Sequence, residues 1–145
     1  MRLELLTDVV WRYDLLHEVA AAQGADGQVF GQGTAEFTGR LAGTATWANF
    51  PRLREGYAFP NAHGSLVVAE NAFVLFTLTG MSSLTDGQGV HVLMFRTEHE
   101  PHLWLNQVIA VGEGSIDPDA GVLAMRYYSC HVDYLPTLPA TAAEP

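Results

Sequence analysis

The feature that most restricts how this chain can fold is a period-two alternation of apolar and polar residues that returns along most of its length. In residues 9–19, Val9, Trp11, Tyr13, Leu15, His17 and Val19 fall on one side, and Arg12, Asp14 and Glu18 fall on the other. That spacing favours a strand buried on one face. A helix over 14–24 competes with it, because Asp14 can cap and Ala20, Ala21 and Ala22 are helix-friendly. Residues 65–69 and 72–79 are β-rich runs joined by Glu70 and Asn71, a spacing that predicts a tight hairpin with Asn71 at positive φ. Further strands are expected over 34–50, 90–97, 103–111 and 122–134. Residues 27–33, 98–102 and 112–121 read as turns or loops. Glycines at 31, 33, 39 and 43 interrupt strand-like sequence, as at bulges or bends of a strongly coiled sheet.

About eight strands and at most one short helix predict an all-β fold, a closed antiparallel barrel, rather than a helical or βαβ architecture. One domain is expected over residues 1–135, followed by a Pro/Ala-rich tail over 136–145. The interior of a barrel of this size can hold one small ligand. In residues 72–79, Phe73 and Leu75 oppose Val74, Phe76 and Leu78, so both faces are apolar. A cover on the outside is therefore expected, from a loop, the tail or another subunit of a homo-oligomer.

Charge narrows the partners. All seven basic residues are arginine, against sixteen acids, for a formal net charge of −9. That balance disfavours nucleic acid, whose phosphates require clustered basic side chains, and equally an anionic membrane surface. The longest apolar run covers about a third of a membrane span. No secretory leader pattern is visible, and the lone Cys130 cannot form an internal disulfide, so a cytoplasmic location is expected.

Parity sorts the candidate site residues. Trp47 and Asn49 share one strand face, and Trp104 and Asn106 share another. Each pair offers an aromatic wall and an amide that both donates and accepts. The competing assignment is that each asparagine ties down a loop while the tryptophans fill core. Arg52, Arg54 and Arg96 could capture a carboxylate or enolate oxygen, or could pair with acids at the barrel rim. Tyr57, Tyr128 or a lumenal histidine, His63 or His131, could move a proton. No metal site is expected, because His99 and His102 lie in a loop without a third ligand. No cofactor is expected either, since the phosphate-loop and dinucleotide fingerprints are missing.

The run Trp47-Ala48-Asn49-Phe50-Pro51-Arg52-Leu53-Arg54-Glu55-Gly56-Tyr57, followed by Phe95-Arg96-Thr97-Glu98, Leu103-Trp104-Leu105-Asn106 and Gly112-Glu113-Gly114, resembles the DUF3237 (UPF0311) family of small bacterial proteins. The likeness spans residues 31–128. It departs at Glu55, where the family favours aspartate, and at Glu70-Asn71-Ala72, where it favours Asp-Gly-Ala. The resemblance implies a lipocalin-like or cyclase-like barrel and draws attention to the lumen near Trp47, Asn49, Arg54, Trp104 and Asn106; it lends no reaction. Three functions remain in competition. The first is a cofactor-independent isomerase, cyclase or lyase acting on a small, partly apolar organic molecule, with Arg54, Asn106 and Tyr57 as catalytic candidates. Trp47, Asn49, Arg52, Arg96, Trp104 and Tyr128 would then be the ligand-binding candidates. The second is a non-catalytic carrier or sensor, and the third is a structural protein with a packed barrel.

Overall fold

The computed structural model describes residues 1–137 and 139; most of the expected tail lies outside the described residues. The strands are β1 (Arg2–Val19), β2 (Gly27–Gly39), β3 (Gly43–Asn49), β4 (Arg52–Arg54), β5 (Tyr57–Phe59), β6 (Ala62–Ala69), β7 (Ala72–Ser83), β8 (Gln88–Arg96), β9 (Ile109–Asp117) and β10 (Val122–His131). Antiparallel pairing runs β1–β2–β3–β6–β7–β8–β9–β10 and returns to β1, which closes the barrel. The short strands β4 and β5 continue the wall between β2 and β7, beyond the ends of β3 and β6.

Alternation is the force behind this arrangement. In β7, Val74, Phe76 and Leu78 are buried while Phe73 and Leu75 stand outward, 50% and 47% exposed. Among the described residues, no segment covers those two outward side chains. Glu70 and Asn71 form the two-residue hairpin, with Asn71 at φ 56°. Register shifts mark two bulges in β1, one at Leu6 and one at Asp14. At the first, Leu6 and Thr7 are both buried although adjacent. The Thr7 hydroxyl then bonds the carbonyls of Leu41 and Thr38, at 2.8 and 3.0 Å.

Residues 14–19 continue as strand, as the alternation favoured over the competing helix, because they pair along β2 from Gln32 to Gln28. Three other local expectations are corrected. Residues 27–33 open β2 rather than forming a turn, and residues 112–117 belong to β9. Finally, the strand expected over 103–111 begins only at Ile109; before it lies a 3-10 helix, Glu100–Gln107, with a proline in its first turn. Proline pre-sets φ for a helical start. Leu105 plugs the barrel from this helix, fully buried.

One half of the interior is packed solid. Leu6, Phe37, Leu41, Leu66, Leu93 and Leu105 meet there across the axis. Toward the other end, β1 places Trp11 and Tyr13, β3 places Trp47 and Asn49, and β8 places His91. That end is hollow.

Candidate functional site: a cavity at the open end of the barrel

The cavity measures about 370 Å³. It has the volume of roughly a dozen waters, and so holds a one- or two-ring organic molecule. Trp11, Tyr13 and Trp47 form its aromatic side, and Leu78, Ile116 and Leu123 face them from β7, β9 and β10. The aromatic rings lie edge to face: Tyr13 and Trp47 at 4.8 Å and 87°, Trp11 and Trp47 at 6.0 Å and 79°. Two glycines of β2 make room for them. A Cβ at Gly31 would sit 2.6 Å from a Tyr13 ring carbon, and one at Gly33 would sit 2.6 Å from the Trp47 ring. These glycines seat rings within a continuous strand, which is a different role from the bend expected at each.

The polar groups divide into those held by the wall and those left for a ligand. The Trp47 indole N–H donates to the Thr34 carbonyl at 2.7 Å. Asn49, 8% exposed, accepts the Asn61 backbone N–H at 2.9 Å and donates to the Tyr13 hydroxyl at 3.3 Å. Tyr13 therefore serves as an acceptor, and its own hydroxyl hydrogen has no acceptor among the described residues. Burial raises the Tyr13 pKa, with the Asn49 bond opposing, so the phenol stays protonated at neutral pH.

His91 lies on β8 across from β7, and its Nε2 is 2.9 Å from the Ser82 hydroxyl oxygen. Its Nδ1 is buried without a partner. Burial lowers its pKa to about 4, leaving the ring neutral at pH 7. A buried unpaired N–H is costlier than an under-used acceptor, so the tautomer carrying its proton on Nε2 is favoured. In that tautomer His91 donates to Ser82 Oγ, and the Ser82 hydroxyl hydrogen is free to donate into the cavity. Asp86, the only carboxylate lining the cavity among the described residues, sits in the β7–β8 turn, where it accepts the Gln88 N–H at 3.0 Å.

Deeper in the barrel, the Trp11 indole N–H and the Tyr127 hydroxyl are buried and make no bond of acceptable geometry. Burial pushes the Tyr127 phenol far up, and the nearby Trp11 N–H offsets this only in part.

Of the residues singled out from sequence, the structure brings Trp47 and Asn49 together at the cavity and places the others elsewhere. Arg54 is exposed and makes a two-pronged ion pair with Asp26, both contacts at 3.1 Å. That bond raises its pKa and lowers that of Asp26. Arg52 lies beside Phe30, Phe50 and Phe59 in a surface groove, and Arg96 borders another with His63 and Met94. Tyr57 and Tyr128 line a shallow groove that also holds Asp8 and Arg126. Trp104 and Asn106 do not share a strand face, because a 3-10 helix turns every three residues. The Trp104 indole N–H donates to the Pro101 carbonyl under the Arg40 guanidinium, while Asn106 clamps the Thr97 backbone. His131 lies 3.1 Å from the Ser129 hydroxyl and 3.3 Å from Glu4, at the packed end.

Tyr13, Ser82, His91 and Asp86 were not singled out from the sequence. A signal for two of them was present. His91 shares parity with Leu93 and Phe95, and Ser82 shares parity with Val74, Phe76 and Leu78, so each is a polar group on an inward face. Among the described residues no helix is long and apolar enough to cross a membrane, and no group of three or more metal-ligating side chains occurs.

No family model and no curated protein matches the chain. Solved structures do match its fold. A protein of unknown function from Clostridium acetobutylicum ATCC 824 superposes with a TM-score of 0.79 at 12% identity, over 90% of this chain and 100% of that one. A β-barrel-like protein from Acinetobacter baumannii AYE gives 0.75 at 16% identity, over 88% and 94%. An enzyme from Penicillium herquei gives 0.68 at 18% identity, over 88% and 92%. The chain is thus a closed β-barrel of a shape that uncharacterised proteins and one enzyme share.

Proposed function

We propose that this protein binds a small, partly apolar organic molecule in the open end of the barrel and acts on it as a cofactor-independent enzyme of the isomerase, cyclase or lyase type. The observation that carries this reading is the Ser82–His91 pair on the cavity wall, with His91 buried and neutral and its ring bonded to a hydroxyl. A container for an apolar ligand has no need of a desolvated imidazole, whereas proton-transfer chemistry does. The aromatic walls exclude water and hold a flexible substrate in one shape. As an enolate forms, the carbon-bound proton passes to the Asp86 carboxylate at the cavity edge, and Tyr13 and Ser82 donate to the oxygen that gains negative charge. Polarised through His91 Nε2, the Ser82 hydroxyl passes that demand to the imidazole. Trp47 and Asn49 position the substrate and Tyr13. Membership of the DUF3237 family is part of the same proposal, resting on the short motifs and on the barrel.

The test is hydrogen–deuterium exchange at the acidic carbons of 2-tetralone in D2O, followed by NMR. The protein should accelerate exchange, and Ser82→Ala and His91→Gln should each slow it by about 10²-fold or more, as for removal of one oxyanion donor. Binding of 2-tetralone with no acceleration would instead establish the carrier reading. That alternative is favoured by the way Trp47 and Asn49 spend their polar atoms on the wall.

A further inference from the structure

The charge arrangement around the cavity speaks to the class of molecule it takes. Of the seven arginines, none lines it. Arg2, Arg40, Arg54 and Arg126 are ion-paired elsewhere, with Glu4, Asp133, Asp26 or Asp8. Arg12, Arg52 and Arg96 also stand away from the lining. Among the described residues, the one formally charged side chain at the cavity is Asp86, on a chain whose formal net charge is −9. A carboxylate ligand would therefore leave water for an apolar pocket with no counter-charge and an acid at its edge, which is strongly unfavourable. Against this, Tyr13 and Ser82 each bring a hydroxyl hydrogen that the protein leaves unused, and a donor in a desolvated site favours a ligand with an acceptor there.

Resting on the lumenal site proposed above, we infer that the cavity selects an uncharged aromatic or alicyclic molecule bearing a carbonyl or similar acceptor oxygen, held by the hydroxyls of Tyr13 and Ser82, and rejects the carboxylate of the same shape. Of the two roles the sequence left open for the arginines, anion capture and ion pairing at the rim, this leaves no place for anion capture in the cavity. Burial of His91 as a neutral ring is consistent with it, since the one group able to become cationic in the wall stays uncharged near pH 7.

The experiment compares two near-isosteric probes, 2-acetonaphthone and 2-naphthoate, by quenching of intrinsic tryptophan fluorescence with the full chain at pH 7.5. The ketone should bind roughly 100-fold more tightly than the carboxylate or better. Tyr13→Phe and Ser82→Ala should each weaken ketone binding about 2- to 12-fold, the value of one neutral hydrogen bond. Both variants should bind 2-ethylnaphthalene, which has no acceptor, as the parent does, which also shows that the cavity is intact. Equal or tighter binding of 2-naphthoate overturns the inference, and so does ketone binding indifferent to both substitutions. Ketone selectivity without deuterium exchange in 2-tetralone would remove the enzymatic reading and leave this one standing. Failure of the ketone and 2-ethylnaphthalene alike to bind would remove both.

Discussion

Replacing Asn106 with leucine separates a structural role from a ligand-binding one. The Asn106 Oδ1 accepts the Thr97 N–H at 2.8 Å, and its Nδ2 donates to the Thr97 carbonyl at 2.9 Å. The side-chain amide thus serves Thr97 as a neighbouring strand would, just past the last residue of β8 and before β9 begins at Ile109. Thr97 is itself buried, donates its hydroxyl to the Phe73 carbonyl at 2.8 Å and accepts the His99 N–H at 3.1 Å. Leucine is close in size to asparagine but can satisfy neither backbone group. A net hydrogen bond contributes about 0.5–1.5 kcal/mol, and a buried group left unpaired costs about 1–3 kcal/mol. For two partly buried groups the expected loss is about 2–4 kcal/mol. With a urea m-value near 2 kcal/mol/M for a domain of this size, the unfolding midpoint should fall by roughly 1–2 M. Urea titration followed by tryptophan fluorescence reads that shift. The clamp lies at the packed end, so the folded variant should bind 2-acetonaphthone with the parent affinity. An unchanged midpoint would refute the clamp, and loss of probe binding in a folded variant would put Asn106 at the ligand.

His91 makes stability depend on pH with a definite sign. Its pKa is about 4 in the folded chain against an ordinary 6.5. Between those values the unfolded chain binds a proton that the native chain does not, so stability is complete above pH 6.5 and declines as pH falls toward 4. The decline should approach roughly 3 kcal/mol, and His91→Gln should flatten that part of the profile in thermal melts at stepped pH. Tyr127→Phe removes a buried hydroxyl that lacks a well-formed bond. It should leave stability unchanged or raise it by about 1 kcal/mol; a clear loss in urea titration would reveal a partner for the hydroxyl. Gly31→Ala should force the Tyr13 ring away from Trp47 and cost about 1–3 kcal/mol by overpacking, read as a lowered midpoint together with weaker 2-acetonaphthone binding.

Local pattern carried much of the fold. β-rich composition over 72–79 and 90–97 identified β7 and β8 as strands, though not which face of β7 would stay exposed, and Asn71 marked the hairpin through its tolerance of positive φ. The 3-10 helix was missed because Leu103, Trp104 and Leu105 have the composition of a strand, and only their fit over the barrel end favours a helix. Trp104 and Asn106 then lost the shared face that strand parity implied. For Arg54 the sequence offered both ligand capture and an ion pair at the rim, and only the tertiary structure names the partner, Asp26, 28 residues away.

Sequence by itself determined the fold class, since period-two burial and close-range turn chemistry are local properties and an alternating chain with these turns has few ways to hide its apolar faces. It also determined that the protein is strongly acidic and that Trp47 and Asn49 share a face. Tertiary structure alone decided which end is hollow, because that depends on side chains from eight strands meeting across an axis. It also decided the site: Tyr13 meets Asn49 from another strand, and Ser82 meets His91 through the register of β7 on β8. The bulge at Asp14, just past Tyr13, sends the rest of β1 out of the alternation that its sequence continues. One inserted residue changes the side on which every later residue falls, and only the pairing partner reveals it.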